Sequence, residues 1–598
     1  MATNIETNSS DLGEEYYNSL PTLADSMVAT LDFFNVKRMY GIGGDFAVNL
    51  IKAFETNLKL LPSSNEMHAA FSACGQAEVE GLGVCVTTYT VGSLPCSSAI
   101  ALAKSENLPV IFISGAPGES EIGNVAIHHT VTSFSSWKIE YDACLNSFKE
   151  LGIRSERLQG ERTKGQPDVA GEQFFNLVAH AFTNNEPVFI EIPRDIVFKK
   201  TQALKLPNSK YDLNTDLTCF ASGDIVVKSI LKKLEASKKP LIYFGAALKL
   251  NKKLIKLITQ FCEKNSIPFV SSWFGKGILD DYHPLSLGSY NGVFSDLHHR
   301  KYIDNEADYV IEVATSIFQM DANSAFDTGT HRLSSFPNKT LLKGTSKLQK
   351  DLIEIFEKLL ISDVKKFDFN FESQKAPLLN STDKFDFHNL TSVLNSIQDE
   401  SGKSFIYLPE VGNSYFASYS LKIKQSSVGR GWISNAWYGA MGTTLPYARA
   451  LCEVLKESKS NDAAVVITGD GGFHFQLNEL IHFMKDKLNI TIVYMRNNIF
   501  HLGKNSNAEI YNCSSEDFDV QKLVSCYGGE AKKCSTIGEF TDYFLQCVNE
   551  NKGIKLIEVP AIPESQYQCN EIKLLNTYIG FKNGIPEAEK AWGNIINE

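Results

Sequence analysis

Short apolar runs that stop at Gly, Pro or Asn recur along the whole chain. They occupy residues 108–114 (LPVIFIS), 187–192 (PVFIEI), 240–244 (PLIYF), 309–313 (YVIEV), 405–408 (FIYL), 463–468 (AAVVIT), 490–495 (ITIVYM) and 554–559 (IKLIEV). Runs this short, without polar alternation, mark strands buried on both faces, as in a parallel sheet. Helical stripes lie between them: Leu23, Met27, Leu31 and Phe34 share one face, and Leu254, Ile255, Ile258 and Phe261 share another. Alternation of strands and helices predicts an α/β chain of doubly wound parallel-sheet domains. Polar, lysine-rich or charge-alternating stretches at 198–216 and 362–386 read as linkers. The expected domains are therefore 1–195, 196–370 and 371–598, each of ordinary domain size.

Charge and cysteine usage narrow the class. Lys and Arg number 58 and Asp and Glu 69 in 598 residues, giving a net charge of −11. That balance argues against tracking nucleic-acid backbones or anionic membrane surfaces. The twelve cysteines contain no CxxC pair and no zinc spacing, so reduced, buried thiols in a reducing compartment are expected. The start, MATNIETNSSDLGEEYYNSL, lacks the basic and apolar regions of a signal peptide. No apolar run approaches the roughly 20 residues of a membrane span. A cytoplasmic protein with no nucleic-acid or membrane partner is the expectation.

The most informative segment is AAVVITGDGGFHFQLNELIHFMKDKLNITIVYMRNN at 463–498. A buried strand ends at Gly469, Asp470, Gly471 and Gly472. A helix is expected next, with Phe475, Leu477, Leu480, Ile481 and Met484 inward, and then a second strand ending at Asn497 and Asn498. Ligands of open α/β sheets bind at this carboxyl edge. Glycines allow close approach to a phosphate. Asp470 and an Asn side chain are hard oxygen donors suited to Mg²⁺. GDGG alone serves equally well as a plain turn. Its combination with an Asn pair, 25 residues lying between Gly471 and Asn497, is more specific.

GDGG…NN resembles the diphosphate-binding motif of thiamine-diphosphate-dependent enzymes. Three further stretches are similar to pyruvate and indolepyruvate decarboxylases: YGIGGDFAVNLIKAFE with NEMHAAFSACGQAEVEGLGVCVTTYTVGSLPCSSAIA and HHT in the first third, PEVGNSYF with AWYGAMGTTLPYA near residue 410, and more faintly GKGILDDYHP…GVFSD. The resemblance implies three domains, pyrimidine-binding, central and diphosphate-binding. It implies thiamine diphosphate and Mg²⁺ as cofactors. Asp470, Asn498 and the carbonyl of Phe500 would be the metal ligands. Gly412 and Asn413, in PEVGNSYF, would join the cofactor-binding set with Gly469, Gly471 and Gly472.

In this family the cofactor activates its own ring with help from a carboxylate on the pyrimidine. Glu66 matches that position and would share a proton with the ring nitrogen; without the resemblance it reads as a helix-start residue. Met441 would support the bent cofactor, and the Gly439 carbonyl would accept from the pyrimidine amino group. Asp45, His128 and His129 would handle protons after CO₂ leaves. A second pair, His298 and His299, receives no role. One departure stands out. Family decarboxylases carry Glu six residues beyond the metal-binding Asn, whereas Lys504 stands there. The resemblance implies decarboxylation of a small-molecule 2-oxo acid to an aldehyde, in a homodimer or homotetramer with the site between subunits. Lys504 keeps open a carboligase and a non-catalytic cofactor-binding regulator.

Overall fold

The computed structural model describes residues 17–123, 126–133, 135–160, 168–210, 213, 223–295, 297–315, 339–342, 349–371, 379–435, 437–498, 517–561 and 569–597. The chain forms two compact units, Met1–Thr215 and Asp216–Glu598.

The first unit holds a six-stranded parallel sheet. In chain order its strands are β1 (Arg38–Gly41), β2 (Lys59–Pro62), β3 (Gly83–Thr87), β4 (Val110–Ala116), β7 (Arg154–Arg157) and β8 (Val188–Pro193), arranged β2-β1-β3-β4-β8-β7. A small antiparallel pair, β5 (Val131–Thr132) and β6 (Ile139–Glu140), stands apart. The expected stripe of Leu23, Met27 and Leu31 is buried on the helix Leu23–Phe33, with Phe34 as its C-cap. It packs with Phe174, Leu177 and Val178 against Val84, Val86, Ile111 and Ile190 of the sheet. Thr22 and Asp25 close this helix's N-terminus with a reciprocal capping box.

The second unit holds two five-stranded parallel sheets. One contains β9 (Pro240–Phe244), β10 (Phe269–Ser272), β11 (Ser286–Tyr290), β12 (Tyr309–Val313) and β13 (Lys339–Leu342), arranged β11-β10-β9-β12-β13. The other contains β14 (Phe405–Pro409), β15 (Ala463–Gly469), β16 (Ile490–Arg496), β17 (Glu530–Lys533) and β18 (Ile554–Pro560), arranged β14-β15-β16-β18-β17. All eight expected apolar runs are strands, and the doubly wound α/β class holds. Edge strands such as β7 (RSER) and β17 (EAKK) escape a search for apolar runs, because an edge is solvated on one side and carries charge.

Two expectations need correction. The helix after GDGG is not continuous. It comprises a helix Asp470–Gln476, a tighter turn Leu477–Glu479 and a helix Leu480–Lys485. Its inward face is also largely different: Leu480 is buried as expected, but Phe475, Ile481 and Met484 are 57%, 39% and 41% exposed, and Phe473, Gln476, Glu479 and Phe483 are buried instead. Polar residues can occupy the inside because they are partnered there. Gln476 bonds Glu410, and Glu479 faces the buried Arg449 at 3.8 Å. Among the described residues of the expected 362–386 linker, Phe367 joins the core beneath β9 and β12, and Phe385 stacks on Phe540 at 3.9 Å. The ten described cysteines are free thiols, and all but Cys526 are buried. Among the described residues no helix is long and apolar enough to cross a membrane.

A buried polar cluster braces the first sheet. Glu191 of β8 accepts from Arg157 Nε and Nη2 at 2.9 and 2.6 Å, and its other oxygen is buried without a hydrogen-bond partner. Burial pushes its carboxyl up to about 7, with Arg157 pulling the other way. A carboxyl raised on folding stabilises fully only below its unfolded value near ~4.3. That contribution is lost as pH rises through about 7. Thermal melts from about pH 4.5 to 8 are predicted to show a stability loss over this window in the wild type and a flatter profile in Glu191→Gln. Equal slopes would contradict the assignment.

Candidate functional site

The carboxyl edge of β15 and β16 is organised by Asp470. Its side chain is 2% exposed. Oδ2 accepts from the backbone N–H groups of Asn497 and Asn498 at 2.9 and 3.0 Å, and Oδ1 accepts from the Tyr494 hydroxyl at 2.8 Å. Burial holds the carboxyl above its usual range, and the donated bonds pull it back. Asn498 has φ +60, a left-handed conformation that Asn tolerates. Its Oδ1 accepts from Arg496 Nε at 2.9 Å. These two side chains fit a hard cation. A carboxylate offers about four lone-pair positions and Asp470 uses three, and an amide oxygen such as that of Asn498 is a second hard donor. Mg²⁺ takes few protein oxygens and completes its shell with phosphate and water. Phe500 and Lys504 lie outside the described residues.

The glycines divide by role. A Cβ on Gly469 would meet nothing nearer than 3.7 Å, so neighbouring atoms do not demand glycine there. A Cβ on Gly472 would lie 2.3 Å from Glu410 Cγ, so this glycine makes room for Glu410. Gly471 is buried in the same turn. Gly412 and Gly439 have φ +114 and +73, conformations that favour glycine. Asn413 opens the short helix Asn413–Ala417 after Gly412.

Sequence reasoning missed two residues that shape this edge. Glu410, at the end of β14, is fully buried and accepts four bonds. Val411 and Gly442 N–H groups donate at 3.1 and 3.2 Å, and Thr444 Oγ1 and Gln476 Nε2 at 2.9 and 2.6 Å. Asn435, 2% exposed, accepts from Ala440 N–H at 2.7 Å and donates to Thr443 Oγ1 at 2.6 Å. Together they fix the turn that carries Gly439 and Met441, and leave Met441 42% exposed. The signal for Glu410 was its place in PEVGNSYF, directly after a buried strand. Nothing local distinguishes Asn435.

The first unit presents a second cluster at its own sheet edge. β1 ends at Gly41, and Gly43 and Gly44 lead to Asp45. A Cβ on Gly44 would lie 2.6 Å from Thr88 Cβ, so the loop hugs β3 because it is glycine. His128 Nε2 lies 2.7 Å from Asp45 Oδ2, and the His128 and His129 rings are 4.6 Å apart. Phe46 stacks on His128 at 4.9 Å, with the Arg194 guanidinium also 4.9 Å from the Phe46 ring. His129 sits at φ +68, and its Nδ1 is buried without a hydrogen-bond partner. One ligand-capable atom from each of Asp45, His128 and His129 lies within 4.8 Å of the others. A carboxylate, a hydrogen-bonded imidazole and a second imidazole in this arrangement can hold and pass a proton. Glu66 is the first residue of the helix Glu66–Glu80, behind its Asn65 cap, and is half-buried. Its carbonyl accepts from Cys96 Sγ at 3.5 Å.

Models of thiamine pyrophosphate enzymes match the chain three times: the N-terminal TPP binding domain at residues 21–136, the central domain at 227–340 and the C-terminal TPP binding domain at 410–559. The thiamine metabolism regulatory protein THI3 of Saccharomyces cerevisiae is 24% identical, covering 92% of this chain and 90% of its own length. Pyruvate decarboxylase of Candida albicans is 23% identical over 88% of this chain and 92% of its own length. That of Aspergillus fumigatus is 22% identical over 79% and 81%. The chain belongs to the thiamine-pyrophosphate-dependent 2-oxo acid decarboxylase family.

Proposed function

We propose that the protein is a thiamine-diphosphate- and Mg²⁺-dependent lyase that converts a 2-oxo acid and a proton into an aldehyde and CO₂. The observation that carries this is the Asp45–His128–His129 cluster, whose 2.7 Å carboxylate–imidazole bond would be idle in a protein that only binds a cofactor. Thiamine diphosphate would supply the electron sink for breaking the bond between keto carbon and carboxylate. The side chains do the rest. Asp470 and Asn498 would hold the cation that clamps the diphosphate. Glu66 would keep a proton on the pyrimidine nitrogen, the Gly439 carbonyl would accept from the pyrimidine amino group, and Met441 would support the bend. Asp45, His128 and His129 would deliver the proton that replaces CO₂ on the product carbon.

Domain limits at 1–195, 196–370 and 371–598, a cytoplasmic location, and a homodimer or homotetramer with the site between subunits complete the proposal. A second reading draws on a separate observation. Lys504 replaces the Glu of family decarboxylases, and a relative covering 92% of the chain is a regulatory protein. A regulator would bind thiamine diphosphate without turnover. A carboligase would pass the carbonyl unit to an aldehyde acceptor rather than to a proton.

Two measurements test the proposal. With Mg²⁺, thiamine diphosphate and a panel of 2-oxo acids, CO₂ release is predicted, falling at least about 100-fold in Glu66→Gln while cofactor binding changes less than about 10-fold. Saturable binding with no CO₂ from any 2-oxo acid would reject the lyase in favour of the regulator. Gly472→Ala is predicted to cost about 1–3 kcal/mol and to weaken cofactor binding, because Glu410 is pinned by four bonds and cannot yield to the new methyl. A variant as stable as wild type in denaturant melts would contradict the packing role.

A further inference from the structure

We propose that Arg496 is a protein-borne cationic grip on the cofactor's diphosphate, which weakens the site's hold on the metal and makes cofactor retention partly independent of it. The proposal rests on the cofactor reading above and goes beyond it. Arg496 ends β16, two residues before the expected metal ligand Asn498. Its Nε donates to Asn498 Oδ1 at 2.9 Å, and its Nη1 lies 2.9 Å from Glu558 Oε1. The arginine is 12% exposed and the glutamate 5%. Its guanidinium carbon is 5.9 Å from the centre of the Phe518 ring. The charge is therefore fixed at the edge where Asp470 sits. Its field also reaches His474, whose imidazole is held below its usual range, first by burial and then by Arg496, against the pull of Asp470. His474 Nε2 is buried with no hydrogen-bond partner, so this edge carries an unanswered polar atom beside a fixed cation.

Two consequences follow from one charge. Sharing its oxygen with a guanidinium makes Asn498 a poorer donor to Mg²⁺, and the like charges repel in a region with little water. The same planar cation suits phosphate oxygens and attracts the diphosphate. Glu558 offsets part of the charge and holds the guanidinium in place. A neutral residue at 496 would reverse both effects.

The test is titration calorimetry of thiamine diphosphate into the full-length protein, in saturating Mg²⁺ and in EDTA. The wild type is predicted to lose at most about 10-fold in affinity in EDTA, and Arg496→Leu at least about 100-fold. In Mg²⁺ the two should agree within about 3-fold, and the Mg²⁺ midpoint for cofactor uptake should fall in the variant. Arg496→Gln, which keeps a donor for Asn498 without the charge, should behave as Arg496→Leu. Arg496→Lys should retain binding in EDTA. Equal losses on metal removal in the wild type and the neutral variants would overturn the proposal. If no protein takes up thiamine diphosphate even in saturating Mg²⁺, the cofactor reading falls, and the role of Arg496 with it.

Discussion

The carboxyl edge of β15 and β16 depends on the buried carboxylate of Asp470. By accepting the N–H groups of Asn497 and Asn498 it ties the exit of β15 to the exit of β16. Two parallel strands then end at one height, with the Asp470 carboxylate held against the Asn498 backbone. Such a carboxylate is costly to bury unless its lone pairs are met, and three donors meet it here. The remaining acceptor capacity is what the proposed cation would use. The same side chain would then serve both a structural bond and a ligand.

Glu410 extends the same logic one strand over. It stitches the end of β14 to the turn carrying Met441 and to Gln476. Three elements that lie far apart in sequence are thereby held in register around the edge. The first unit solves a different problem. Its Asp45–His128 pair is largely exposed, at 46% and 58%, which suits groups that exchange protons rather than groups that brace a fold. Its buried, hydrogen-bonded Arg157–Glu191 pair does the bracing instead.

Much of the fold was legible because parallel sheets bury their strands on both faces, so β4, β9, β12, β15, β16 and β18 appear as short, mainly apolar words. The edge strands were not, since RSER and EAKK look like helix or loop. The helix after GDGG misled for a physical reason. Its inside is built from Gln476 and Glu479, whose burial depends on Glu410 and Arg449, partners that no local pattern reveals. At the site, Asp470 and Asn498 could be read from motif spacing, and the structure brings them together. Asn435 and Arg496 could not, because their importance lies in which neighbour they touch. Gly472 was assigned to the cofactor from its motif, whereas its contacts show that it makes room for Glu410.

The central claim is that the Asp470 edge receives a metal-bound diphosphate. Its most direct test is the stoichiometry of thiamine diphosphate uptake by equilibrium dialysis with Mg²⁺, comparing the wild type with Asp470→Ala. One cofactor for each wild-type chain and essentially none for the variant is the expected result, provided that circular dichroism shows the variant folded. Absence of uptake by the wild type, or full uptake by a folded Asp470→Ala protein, would contradict it.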